Sequence, residues 1–142
     1  MMVITRSVAA LMAVAVLAVA CGQPAAEAPT GSQVVAELAD NKITVNVPSV
    51  KAGTIKIGVR NVGTMEHSFE VLKTDLPADQ LPVDAATAKA KEDGKVGEIK
   101  SIPAGKSASV TVDLTPGKYV FICNIASHYQ LGMHTGFTVD AP

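Results

Sequence analysis

Three residues near the end of the chain have the side chains and the spacing to hold a metal ion. Cys123 ends an apolar run, Tyr119-Val120-Phe121-Ile122, and His128 and Met133 follow it at even five-residue steps. Thiolate and thioether sulfur are soft and imidazole is borderline. Two His and one Cys in a trigonal set, with a weak, long bond to an axial Met, hold copper between the preferences of Cu(I) and Cu(II). This segment carries three of those four ligands. The fourth must be a histidine from elsewhere, and the chain offers only His67 and His134.

The elements that position these residues follow from side-chain parity. Successive side chains of a strand alternate between its faces. Along Tyr119 to Cys123 this puts Tyr119, Phe121 and Cys123 on one side, with the cysteine at the strand's end. A strand from His67 to Leu72 places His67, Phe69 and Val71 together, with the histidine at its start, while Ser68 and Glu70 point the other way. If the two strands are antiparallel neighbours, His67 meets Cys123. A lone histidine on an apolar strand face is more often a hydrogen-bonded core residue, and a lone buried cysteine behaves as a small hydrophobe. The completed Cys-His-Met loop turns both readings towards ligation.

Cys123-x4-His128-x4-Met133 after a buried strand resembles the C-terminal ligand loop of the cupredoxins, the small blue copper proteins such as plastocyanin. Glu66-His67-Ser68-Phe69-Glu70-Val71 is similar to the upstream strand that opens with the remaining ligand in that family. The resemblance covers most of the chain after about residue 33. It implies an all-β, Greek-key β-sandwich with one copper ion, Cu(I)/Cu(II), held by His67, Cys123, His128 and Met133. It also implies one-electron transfer between a redox protein donor and an acceptor by a monomer, not an enzyme. Many relatives have Asn after the upstream histidine, tying the two ligand segments together; Ser68 stands in that place here. His134 directly follows Met133, and neighbours on an extended segment point apart, so Met133 is expected at the copper and His134 at the surface. Ile125, Ala126 and Leu131 cannot all turn inward. They are expected to form an apolar collar around the edge of His128, and Ile125 and Leu131 are the docking candidates. The alternative is that the collar packs on the turn Asn61 to Thr64.

At the other end, Met1 to Ala20 carries one charge, Arg6, before an apolar run from Val8 to Ala20. That length suits the apolar region of a secretory signal better than a membrane span. Small residues then precede Cys21, which resembles a bacterial lipoprotein cleavage site; the alternative is an ordinary cleaved signal. The expectation is an exported protein, periplasmic or at the cell surface, with lipid on Cys21 anchoring it to a membrane without spanning it. Residues 21–32, with Pro24, Pro29 and Gly31, are expected to be a flexible tether, and 33–142 a single copper-binding domain. Of the 2 cysteines, lipidation leaves Cys123 as the only thiol, so no disulfide framework is expected. The formal charge of −1 gives no basic footprint, and no nucleic-acid partner is expected.

Between these landmarks the chain reads as short strands: 34–38, 43–47, 54–60, 67–72, 99–102, 107–114, 119–123 and 136–139, separated by turn residues. Residues 73–100 fit the family pattern least. Asp84 to Glu92, between Pro82 and Gly94, has a helix-forming composition, with an acid near its start and lysines near its end. A short helix is expected there. Either this insertion or a neighbouring strand's long side chains must shield Val120 and Ile122 on the outer face of the cysteine strand. Other functions use related ligands. An exported copper carrier or buffer is the main alternative. Met133 is a poor ligand for a catalytic zinc, a binuclear copper centre needs a second cysteine in the loop, and 3 histidines are too few for a copper oxidase.

Overall fold

Strict alternation of apolar and polar residues makes one buried face, and most of this chain uses that rule to build two sheets. The computed structural model describes residues 26–142; the expected signal segment 1–20 and Cys21 lie outside them. The strands in chain order are β1 Val34–Ala39, β2 Lys42–Val45, β3 Ser49–Lys51, β4 Gly53–Asn61, β5 His67–Lys73, β6 Val83–Asp84, β7 Lys89–Ala90, β8 Lys95–Ile102, β9 Ser107–Leu114, β10 Gly117–Ile122 and β11 His134–Asp140. One sheet has the order β2-β1-β4-β9 and the other β3-β11-β10-β5-β8. All are antiparallel pairs except β1 with β4 and β3 with β11. The fold is the expected all-β sandwich. β11 does not lie at an edge, because the short β3, absent from the sequence reading, covers it.

The inward faces meet in a single core. Val34, Ala36 and Leu38 of β1 and Ile57 and Val59 of β4 face Phe69 and Val71 of β5 and Phe121 of β10, all fully buried. Phe121 lies between Phe69, whose ring is tilted against it at a centroid distance of 5.2 Å, and Phe137, stacked on it at 4.8 Å. Cys123 and Met133 belong to this same cluster, so the metal loop is the polar cap of the main core. Burial of each such ring contributes about 1.5–3 kcal/mol.

The expected helix is absent: the described residues contain none. Asp84 instead folds back on its own chain, its Oδ1 accepting the N–H groups of Ala86 at 2.8 Å and Thr87 at 3.0 Å. Short acidic side chains compete with helix in this way. Ala88 then adopts a left-handed conformation, φ 54°, and β6 pairs with β7. So short a segment is a marginal helix by itself, and packing decides its structure. Leu81 and Ala90 lie with Leu72, Val120, Ile122 and Tyr129 in a second, smaller core. The insertion is therefore the shield over the outer face of β10.

Residues 26–32 run along β4. Lys56 Nζ donates to the Thr30 carbonyl at 2.7 Å, and Gly58 lies so close that a Cβ there would come 2.4 Å from Ser32 Oγ. The chain is seated on the sheet from the start of the described residues.

Candidate metal centre

Antiparallel pairing of β5 and β10, with Phe121 opposite Val71 and Ile122 opposite Glu70, sets the start of one strand beside the end of the other. His67 and Cys123 meet there, as parity predicts. The loop then returns on itself: His128 N–H donates to Ile125 O, Leu131 N–H to Ser127 O, and Met133 N–H to His128 O. Ser127, at φ 69°, makes the bend that brings His128 back over the cysteine. The Cys123 N–H donates to the Met133 carbonyl at 3.0 Å and closes the base of the loop.

Three ligand atoms converge. His67 Nδ1 lies 3.8 Å from Cys123 Sγ, His128 Nδ1 lies 3.5 Å from it, and the two Nδ1 atoms are 3.3 Å apart. Ligands about 2.0–2.3 Å from one first-row ion lie about 3.3–4.0 Å from one another, from tetrahedral to trigonal geometry. The cluster fits one ion held through both Nδ1 atoms and the sulfur. His67 and Cys123 are fully buried and His128 is half-buried, so only the last has an edge towards the surface. Met133 is fully buried beside them. His134 pairs with Ile122 in β11 and sets its ring 5.1 Å from that of Tyr129, on the side of the smaller core.

Ser68 makes the tie between ligand segments. Its N–H points at Cys123 Sγ at 3.3 Å, and its Oγ accepts the N–H of Asn124 at 3.0 Å. Asn124 in turn clamps the insertion: its Oδ1 accepts Ala90 N–H at 2.8 Å, and its Nδ2 donates to Ala90 O at 2.9 Å and Glu92 Oε1 at 2.8 Å. Tyr129 adds a second clamp, accepting Leu81 N–H and donating to Ala78 O, both at 2.8 Å. Before His67, Asn61 is fully buried and holds the turn by donating to Met65 O and Ile102 O.

Electrostatics follow from burial. Desolvation pushes the Cys123 thiol up, against hydrogen bonds from Ile125 and Ser68 N–H, and pushes His67 down. At neutral pH the metal-free site therefore holds a thiol and a neutral imidazole, and metal binding must displace the thiol proton. Asp40, at the turn between β1 and β2, accepts from both the N–H and the hydroxyl of Thr64, and these bonds lower it to about 2. Glu70 is 5% exposed and burial raises it to about 7.

The chain matches the family model of the cupredoxin-like domain over residues 9–135. It belongs to the cupredoxin family. None of the curated proteins compared matches it in sequence. Among solved structures, this cupredoxin is similar to dithionite-reduced auracyanin from the photosynthetic bacterium Roseiflexus castenholzii, at 22% identity over 75% of this chain and 94% of that one, TM-score 0.54. Auracyanin B is 20% identical over 75% and 86% of the two chains, TM-score 0.58. Rusticyanin from Thiobacillus ferrooxidans is 21% identical over 75% of each, TM-score 0.54, and is described as a copper protein. These likenesses support the fold, and the donor set supports the cofactor. His67, Cys123 and His128 are the described His, Cys or acidic groups that gather within 4.8 Å, and a cupredoxin with that trio holds a single copper ion.

Sequence reasoning missed three contributors to the site. Asp40 and Asn124 are given no role there by the sequence, and Glu70 only an outward strand position. Of the docking candidates, Leu131 is 59% exposed, while Ile125 is half-buried and packs on the main core. The exposed apolar residues of this end of the molecule also include Val62 and Met65, just ahead of His67.

Proposed function

We propose that this cupredoxin is a blue copper protein that carries single electrons between a donor and an acceptor redox protein. The observation that carries the reading is the preformed trio of His67, Cys123 and His128. Their donor atoms already stand at ligand distances, held by the backbone bonds of a closed loop and by Ser68. Copper supplies the one-electron couple; a fixed, largely buried ligand set lets it change oxidation state with little rearrangement. We assign Met133 as the axial ligand, since it is buried at the loop's closure while His134 turns to the opposite face. A buffer that exchanges copper with partners would need ligands that open, and the clamps through Asn124 and Tyr129 oppose opening. The reading is of a carrier rather than an enzyme.

Electrons would pass through the half-buried edge of His128, with partners docking on the apolar surface around it, chiefly Leu131. Small contacts of this kind suit short-lived redox encounters. The test is electron exchange by the copper-loaded protein with a redox protein partner. Leu131→Asp is expected to slow it about tenfold, equivalent to ~1.4 kcal/mol of docking energy, with the visible spectrum intact. An unchanged rate would move the entry point elsewhere. We further place the protein outside the cytoplasm, anchored through lipid on Cys21; the apolar run from Val8 to Ala20 and the small residues before Cys21 support this. The mature protein should then begin at Cys21 and carry lipid mass. A soluble mature form without lipid would contradict the anchor.

A further inference from the structure

We propose that Asp40 is a positioning residue for the upstream copper ligand, and that its negative charge holds the copper couple towards Cu(II). The proposal rests on the copper reading above. Asp40 Oδ1 lies 3.2 Å from Nε2 of His67, a ring that is fully buried. A carboxylate only accepts, so the single ring proton of neutral His67 sits on Nε2 and Nδ1 is left with its lone pair facing Cys123 and His128. Partners of this kind orient a metal-binding histidine and raise its basicity.

Asp40 is itself held from several sides. Thr64 N–H approaches Oδ1 at 3.0 Å and Oδ2 at 3.1 Å, and the Thr64 hydroxyl donates to Oδ2 at 2.7 Å. A Cβ on Gly63 would fall 2.3 Å from Oδ1, and one on Gly132 would fall 2.9 Å from the Asn41 carbonyl. The Asp40-Asn41 turn is therefore wedged between the turn that precedes His67 and the end of the ligand loop, and a side chain at either glycine would dislodge it. Asn41 takes φ 65° to make that turn, a conformation Asn tolerates better than most residues.

Charge counting gives the direction. Cu(II) with the Cys123 thiolate has a net charge of about +1 and Cu(I) with it about zero, so reduction adds one electron and no proton. A fixed negative charge one imidazole away stabilises the more positive, oxidised state. A neutral group in its place releases that bias.

Asp40→Asn keeps the acceptor and removes the charge. The copper-loaded variant should keep its colour and show a higher reduction potential, about tenfold in the Cu(I)/Cu(II) ratio at fixed poise, or about 59 mV for one electron. Thr64→Val removes the hydroxyl that offsets the carboxylate and should move the potential the opposite way; it tests the proposal even if Asp40→Asn does not fold. In the diamagnetic Cu(I) protein, nitrogen NMR should place the His67 proton on Nε2 and show it slow to exchange. A potential unchanged in Asp40→Asn, or moved in the same direction by both variants, would reduce Asp40 to a structural prop and overturn the proposal. A proton on Nδ1 would overturn it as well. A colourless wild type would strike the copper reading beneath it, which is a separate result.

Discussion

Met133 and His134 show how one position in a chain decides chemistry. Alternation at the end of the loop sends Met133 into the core with Cys123 and His134 towards Tyr129. Thioether sulfur favours Cu(I), whereas an amide oxygen is harder. Met133→Gln should therefore lower the reduction potential by tens of millivolts, about 59 mV being tenfold in the equilibrium, while His134→Ala leaves it nearly still. Voltammetry of the two variants checks this, and the reverse ranking would make His134 the axial ligand. The gathering of His67, Cys123 and His128 was legible in the sequence because Cys123 and His128 share one short loop and strand parity aims His67 at the end of the cysteine strand. Asp40 was not. Its contact joins residues 27 positions apart and depends on a left-handed Asn41 and two glycine approaches that no local pattern announces. The burial of Glu70 was not legible for a related reason: strand parity gives its outward direction correctly, but not that Ser68 bonds to it and that Glu92 and Lys95 act on it from beyond its own strand.

The strands were legible because alternation, turn residues and β-branched runs agree along β1, β4, β5, β9 and β10. The insertion was not, because Asp84 to Glu92 has helical composition and the deciding contacts come from elsewhere. Asn124 satisfies both backbone groups of Ala90, which is 4% exposed, and the Ala88 carbonyl accepts from Ser127 in the ligand loop at 2.8 Å. A hairpin offers those groups to the loop, while a helix would have used them internally. Asn124→Ala strands the N–H and C=O of Ala90 away from water at about 1–3 kcal/mol each. The metal-free variant should lose roughly 2–6 kcal/mol in urea unfolding and bind copper with a broader, less uniform site. A loss under about 0.5 kcal/mol, the scatter of surface substitutions, would show that the insertion does not brace the loop.

Taken whole, the molecule is a sandwich whose core continues into its metal site, so stability and ligand geometry share the same contacts. Glu70 gives the pH behaviour of that unit. Its carboxyl rises from 4.5 to about 7 on folding, so the native state binds the proton more tightly than the unfolded chain. Its contribution is present in full below about pH 4.5 and fades as pH climbs to about 7, by up to roughly 3 kcal/mol at 1.36 kcal/mol per unit. Unfolding of the metal-free protein across that window should show the decline, and Glu70→Gln should flatten it. An identical slope in the variant would assign the effect to other groups. Cys123 should bind copper as a thiolate between His67 and His128. Visible absorption during titration of the protein with Cu(II) tests it most directly. Intense sulfur-to-copper charge-transfer absorption should grow to saturation at one equivalent and be lost in Cys123→Ser. A wild type that binds copper and stays colourless would contradict thiolate ligation by Cys123.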